Sequence, residues 1–328
     1  MQTSPILGTT LLALLLAPAL RADIGYQFAT VGNPGNAADS TGYGSVGYTY
    51  AVGTYDVTLT QYTAFLNAVA ATDTYSLYNP QMGTDWRIAG IAQNGTSGNY
   101  SYSVIGSGQR PVTDVSWFDA ARFTNWLSNG QPIGIGEVAA STEQGAYTLN
   151  GDTTNGLETK NANAQYWIPS ENEWYKAAYY DPNKGGPGVG GYWTFATKSN
   201  SAPGNTVGNT PNQANYYRND TGYTTGGVNG YLTDVGAFTG SASAYGTYDQ
   251  SGEVWQWNDA VVGKYLRGGS WGGSGDASYM DSSYRKNSNS TFENEDVGFR
   301  VATIPEPSVA VSFILAGSLL LARRRRPV

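Results

Sequence analysis

Apolar positions along this chain fall into short runs separated by long polar, glycine-rich stretches, and three of the runs carry a helical period. From about Leu59 to Ala70, Phe65, Leu66 and Val69 share one face, and Thr58 with Gln61 three residues on forms a capping box at the start. Ser116 caps a second helix and Asp119 favours its dipole. Phe118, Ala121, Arg122, Trp126 and Leu127 continue that helix to about Ser128. Ser170 and Glu173 open a third, which ends near Tyr180 because Asp181-Pro182 stops it. Strand-like alternation is sparser: one or two strands between Asp23 and Tyr50, then Tyr50 to Val57, Val254 to Trp257, Tyr265 to Trp271 and Val297 to Ala302. The stretches 72–109, 130–163 and 199–246 read mainly as loop. No repeat and no linker divides residues 23 to 303, so one domain is expected there.

The two ends follow a different logic. Ile6 to Leu16 is a short apolar run followed by Pro18, Ala19 and Ala22, the layout of a secretory signal peptide over residues 1–22. A buried N-terminal helix is the other reading. At the far end, residues 304–328 hold Pro305-Glu306-Pro307, an apolar stretch from Ser308 to Ala322, and Arg323-Arg324-Arg325-Arg326. The apolar stretch is shorter than the roughly 20 residues of a comfortable membrane helix. The arginines would keep their end in the cytoplasm. This order resembles the PEP-CTERM sorting signal of Gram-negative bacteria. The resemblance implies transient anchoring in the inner membrane, recognition by an exosortase-type enzyme, and delivery to the cell surface or extracellular matrix. A plain tail anchor shares the same topology.

Composition narrows the chemistry. The chain has no cysteine and no histidine, which excludes thiolate nucleophiles, disulfides, imidazole bases and Cys or His metal sites. Oxygen ligation of calcium or magnesium is what remains for metals. The 43 glycines and 25 tyrosines suit a loop-rich fold with flat, amphipathic contact surface. The net charge is −7, and five of the cations, Arg21 and Arg323 to Arg326, lie in the two ends, so a nucleic-acid partner is not expected. Ser282 has no evident base, and Gly268-Gly269 is not followed by the Lys-Ser/Thr of a phosphate loop. Glu171 and Glu173 read first as capping and dipole residues, and a catalytic carboxylate pair is the alternative.

Several segments carry a resemblance when taken in order. They are Tyr55-Asp56-Val57-Thr58 with Phe65-Leu66-Asn67, Pro111-Val112 with Val115-Ser116-Trp117, and Trp167 to Trp174. Tyr248-Asp249-Gln250-Ser251-Gly252-Glu253-Val254-Trp255-Gln256-Trp257, Arg267-Gly268-Gly269-Ser270-Trp271 and Gly298-Phe299-Arg300 follow. Together they resemble the formylglycine-generating enzyme, or sulfatase-modifying factor, domain over about residues 46 to 302. The implied fold is α+β: a variant of the C-type lectin-like fold, loop-rich, with small antiparallel sheets and two main helices.

The resemblance also implies sites. The family's cysteine pair falls near Ala277 (or Ser278) and Ser282, neither of them cysteine, so neither its copper chemistry nor the iron chemistry of a histidine-using branch can operate here. The family's calcium sites would place one ion at Asp249, Gly252, Val254 and Gln256. A second would lie at Asn215, Tyr216, Asn229 and Tyr231. The other reading of the first segment is a turn in which Asp249 caps backbone amides. Arg285 could line the former catalytic groove with Ser282. The expected role is a catalytically degenerate binding module for exopolysaccharide or a surface protein. An enzyme of this family with cysteine-independent chemistry and a purely structural matrix protein are the alternatives.

Overall fold

A computed structural model describes residues 21–225, 230–260, 263–273 and 275–305. The signal-peptide run, Asn229, Glu306, Pro307 and Arg323 to Arg326 lie outside the described residues. Among the described residues, no helix is long and apolar enough to cross a membrane.

Among the described residues the α-helices are α1 (Leu59–Val69), α2 (Gln81–Thr84), α3 (Trp117–Ser128) and α4 (Glu171–Tyr179); α1, α3 and α4 form where capping signals and apolar periods coincide, whereas α2 has no side-chain cap. Reciprocal capping boxes start α1, α3 and α4, each with the Ser or Thr oxygen accepting from the N3 amide. The strands among the described residues are β1 (Phe28–Val31), β2 (Tyr50–Gly53), β3 (Ile91–Asn94), β4 (Ser101–Val104), β5 (Tyr166–Trp167), β6 (Tyr180–Asp181), β7 (Gly191–Tyr192), β8 (Trp255–Asp259), β9 (Lys264–Arg267), β10 (Lys286–Ser288), β11 (Val297–Gly298) and β12 (Ala302–Thr303).

They assemble into two four-stranded sheets, β1-β2-β12-β5 and β10-β9-β8-β11, and two hairpins, β3-β4 and β6-β7. This is the loop-rich α+β fold that the segments implied. One pairing departs from the antiparallel rule: β11 runs parallel to β8, with Gly298 opposite Gln256. The stretch expected to be loop at 72–109 holds α2 and the β3-β4 hairpin.

The core lies between α1, α3 and the first sheet. Phe123 of α3 packs edge-on to Phe65 of α1 at 5.2 Å and to Phe299 at 5.3 Å, with Tyr62 stacked at 6.0 Å. All residues of α3 except Ser128 are buried, so even Arg122 lies inside. There it forks onto Glu143 at 2.7 Å and lies over the Tyr75 ring, because a buried guanidinium needs a partner.

Candidate functional site

The parallel pairing of β11 with β8 carries Arg300 to the side of Gln256, and this decides the fate of the first expected ion site. Arg300 is fully buried. Its Nε donates to Gln256 Oε1 at 2.7 Å, and its terminal nitrogens donate to the carbonyls of Gly53 and Tyr248 at 2.8 Å and to Asp56 Oδ1 at 3.3 Å. Trp174 Nε1 donates to the same Gln256 oxygen at 2.6 Å. An amide oxygen has two lone pairs, and here both are used.

Asp249 caps the backbone amide of Gly236 at 2.7 Å, while its own carbonyl accepts from Gln256 Nε2 at 2.8 Å. The donor set Asp249, Gly252, Val254 and Gln256 therefore does not fit calcium in this arrangement. The loop closes on a guanidinium, and Asp249 is the turn residue of the second reading. Burial pushes the Asp249 carboxyl up to about 6 and that of Asp56 up to about 8, with Arg300 opposing both shifts. Gly252 makes the closure possible: its φ is +77°, and a Cβ there would sit 2.3 Å from the Asn215 carbonyl oxygen.

Asn215 and Tyr231, by contrast, do come together. Asn215 Nδ2 donates to the Tyr231 carbonyl at 2.8 Å and to Glu253 Oε2 at 3.0 Å. The Tyr216 carbonyl accepts from Asn205 Nδ2 at 3.3 Å. Glu253 is the member that sequence reading missed. Its carboxylate is buried, takes the amide and hydroxyl of Thr233 at 2.8 and 2.6 Å, and forms no ion pair among the described residues. Burial, then the charge of Asp249, pushes its carboxyl well above the usual range. Both Glu253 oxygens and the Tyr231 and Tyr216 carbonyls accept hydrogen bonds from neighbouring side chains or amides.

The stretch around Ala277 and Ser282 is closed by side chains. Ala277 packs against the cluster of Phe195, Tyr216 and Met280. Ser282 is 8% exposed; its amide donates to the Thr194 carbonyl at 2.9 Å and its carbonyl accepts from Arg267 at 3.0 Å. The Tyr175 hydroxyl sits in hydrogen-bond reach of Ser282, Thr41 and Asp39. Arg285 does not open the groove. One of its terminal nitrogens donates to Glu171 Oε2 at 2.6 Å and the guanidinium lies 3.2 Å from the Tyr265 ring centroid, while Arg267 takes the other Glu171 oxygen at 2.8 Å. Glu171 thus bridges two arginines, whereas Glu173 caps α4 as expected.

Residues 44–304 match the sulfatase-modifying factor enzyme 1-like domain. The chain belongs to this family. No curated protein matches it. Solved structures similar to it include Treponema denticola variable protein 1, at 19% identity and TM-score 0.49, covering 88% of this chain and 100% of that one. CarF is 20% identical with TM-score 0.47, covering 86% and 99%. PvdO from Pseudomonas aeruginosa is 17% identical with TM-score 0.43, covering 85% and 92%.

On this sulfatase-modifying-factor scaffold a run of aromatic rings gathers at the surface, and periodicity gave no sign of it because its members come from three separate connecting segments. Tyr231 is the hub: its ring lies 4.7 Å from that of Trp271 and 13° from parallel to it, 4.2 Å from Tyr223 and 5.5 Å from Trp86. Tyr217 extends the run from Tyr223 at 4.8 Å.

Proposed function

We propose that this family member is an exported, surface-sorted binding module whose catalytic position has been lost. The observation that carries the binding half is the aromatic run, whose outer members Trp86 and Tyr223 are 66% and 37% exposed. Soluble domains rarely leave connected apolar surface open without a use for it. The loss of catalysis is supported by a chain without cysteine and by Ser282 packed against Tyr175, Thr194 and Arg267. Export through residues 1–22, handling of residues 304–328 by an exosortase-type enzyme, transient membrane anchoring and final residence at the cell surface or matrix belong to the same reading. The partner is exopolysaccharide or a surface protein. For a structural ion we propose calcium at Asn215, Tyr216 and Tyr231 with Glu253. The closed groove favours a second reading, a purely structural matrix protein.

The test is direct. The purified full chain, given a sulfatase peptide and copper, is expected to form no formylglycine. Measurable turnover would overturn the loss of catalysis. An oligosaccharide array and a surface-protein pull-down that both stay blank would favour the structural reading.

A further inference from the structure

We infer that the run Trp86, Tyr231, Trp271, Tyr223 and Tyr217 is a stacking platform for a glycan that carries no acidic groups. The inference rests on the binding-module reading and names its ligand class. Trp271 anchors the run: it is 3% exposed, packs with Ile88, Leu232 and Val254, and donates its indole N–H to the Glu295 carbonyl at 3.3 Å. Tyr231 lies flat on that anchor, and Trp86 and Tyr223 face outward from it. A rigid base with open outer rings loses little conformational freedom on binding. Aromatic faces rimmed by phenol hydroxyls offer an apolar plane and hydrogen-bond donors together, which matches a pyranose with its C–H face and equatorial hydroxyls. A run of rings also suits a chain of sugars better than a single apolar anchor, which needs a pocket.

Charge selects within that class. Arg87, beside Trp86, is chelated by Asp85 at 2.5 Å and by Glu295 at 2.6 Å. Asp114 and Asp296 belong to the same electrostatic neighbourhood, and both Asp114 oxygens are buried without a protein partner. Three carboxyl groups, those of Asp85, Glu295 and Asp114, thus act on one guanidinium, with Asp296 behind Asp114. Such a field repels uronic-acid and phosphate polymers and accepts a neutral or amine-bearing sugar. An ammonium group would gain further from the ring faces.

The experiment uses the full chain in detergent and an array of neutral, amine-bearing and uronic-acid oligosaccharides, followed by tryptophan-fluorescence titration of each hit. Saturable binding is expected for neutral or amine-bearing members and not for uronic-acid members. Trp86→Ala and Tyr223→Ala should each weaken it at least tenfold with an unchanged Tm. Preferred binding of uronic-acid members, or no binding to any member, overturns the inference. Glycan binding that Trp86→Ala and Tyr223→Ala leave intact sinks the platform while sparing the binding reading. Formylglycine turnover sinks that reading independently.

Discussion

Replacing Asp56 by asparagine should make this protein more stable in alkali while changing little in mild acid. Asp56 is buried, with Oδ1 3.3 Å from Arg300 and Oδ2 without a protein partner. Burial, aided by the charge of Asp249, pushes its carboxyl from 3.8 to about 8 against the pull of Arg300. A carboxyl raised in the fold works against folding once the unfolded chain ionises. Its stabilising balance is therefore full below about pH 4 and is lost as pH rises through about 8. A tenfold difference in proton affinity between the folded and unfolded chains corresponds to about 1.4 kcal/mol, so the penalty grows by on the order of 4 kcal/mol between pH 5 and pH 9. Asparagine keeps the shape and the acceptor for Arg300 and cannot ionise. Urea unfolding of both proteins at pH 5, 7 and 9 should show the variant gaining on wild type by that amount across the range. A stability difference that does not change with pH would mean that Asp56 is ionised in the fold and would refute the expectation.

Gly252→Ala is expected to destabilise by roughly 3 kcal/mol or more, since the Cβ strikes the Asn215 carbonyl at a positive φ; unfolding midpoints in urea decide it. Glu171→Ala should cost about 3–5 kcal/mol by leaving buried Arg267 without its carboxylate, and a variant as stable as wild type would show that the fork is not a stabilising contact. Calcium should raise the Tm of wild type and of Asp249→Asn alike, and Glu253→Gln should abolish the rise. A rise that Asp249→Asn removes would return the ion to the first loop.

What sequence alone made legible follows contact range. Thr58, Ser116 and Ser170 announce their helices because a capping box is a bond between residues three apart, and all three boxes form. The β3-β4 hairpin escaped notice because β3 keeps one fully buried residue, Ile91, and β4 one, Tyr102, so no alternation accumulates. The family segments singled out Asp249 and Gln256. They could not show that Arg300 uses the Gln256 oxygen, because that contact depends on the pairing of β11 with β8. Glu253 lies in the same segment, and nothing beside it in sequence marks its role, because its partners Asn215 and Thr233 come from a separate stretch of chain. The aromatic run is similarly invisible in one dimension, with Trp86 distant in sequence from Tyr231 and Trp271.

The order β1-β2-β12-β5 also governs when this protein can fold. The last strand, Ala302–Thr303, is an inner strand of the first sheet, flanked by β2 and β5. Arg300, just before it, ties down the Gly53 carbonyl 247 positions away. Until the final residues of the domain have been synthesised, β2 and β5 lack the partner that joins them, and Asp56 lacks its guanidinium. Closing contacts of such sequence separation is slow. Completion of the first sheet is thereby a late step, available only once Arg300 to Thr303 have been made.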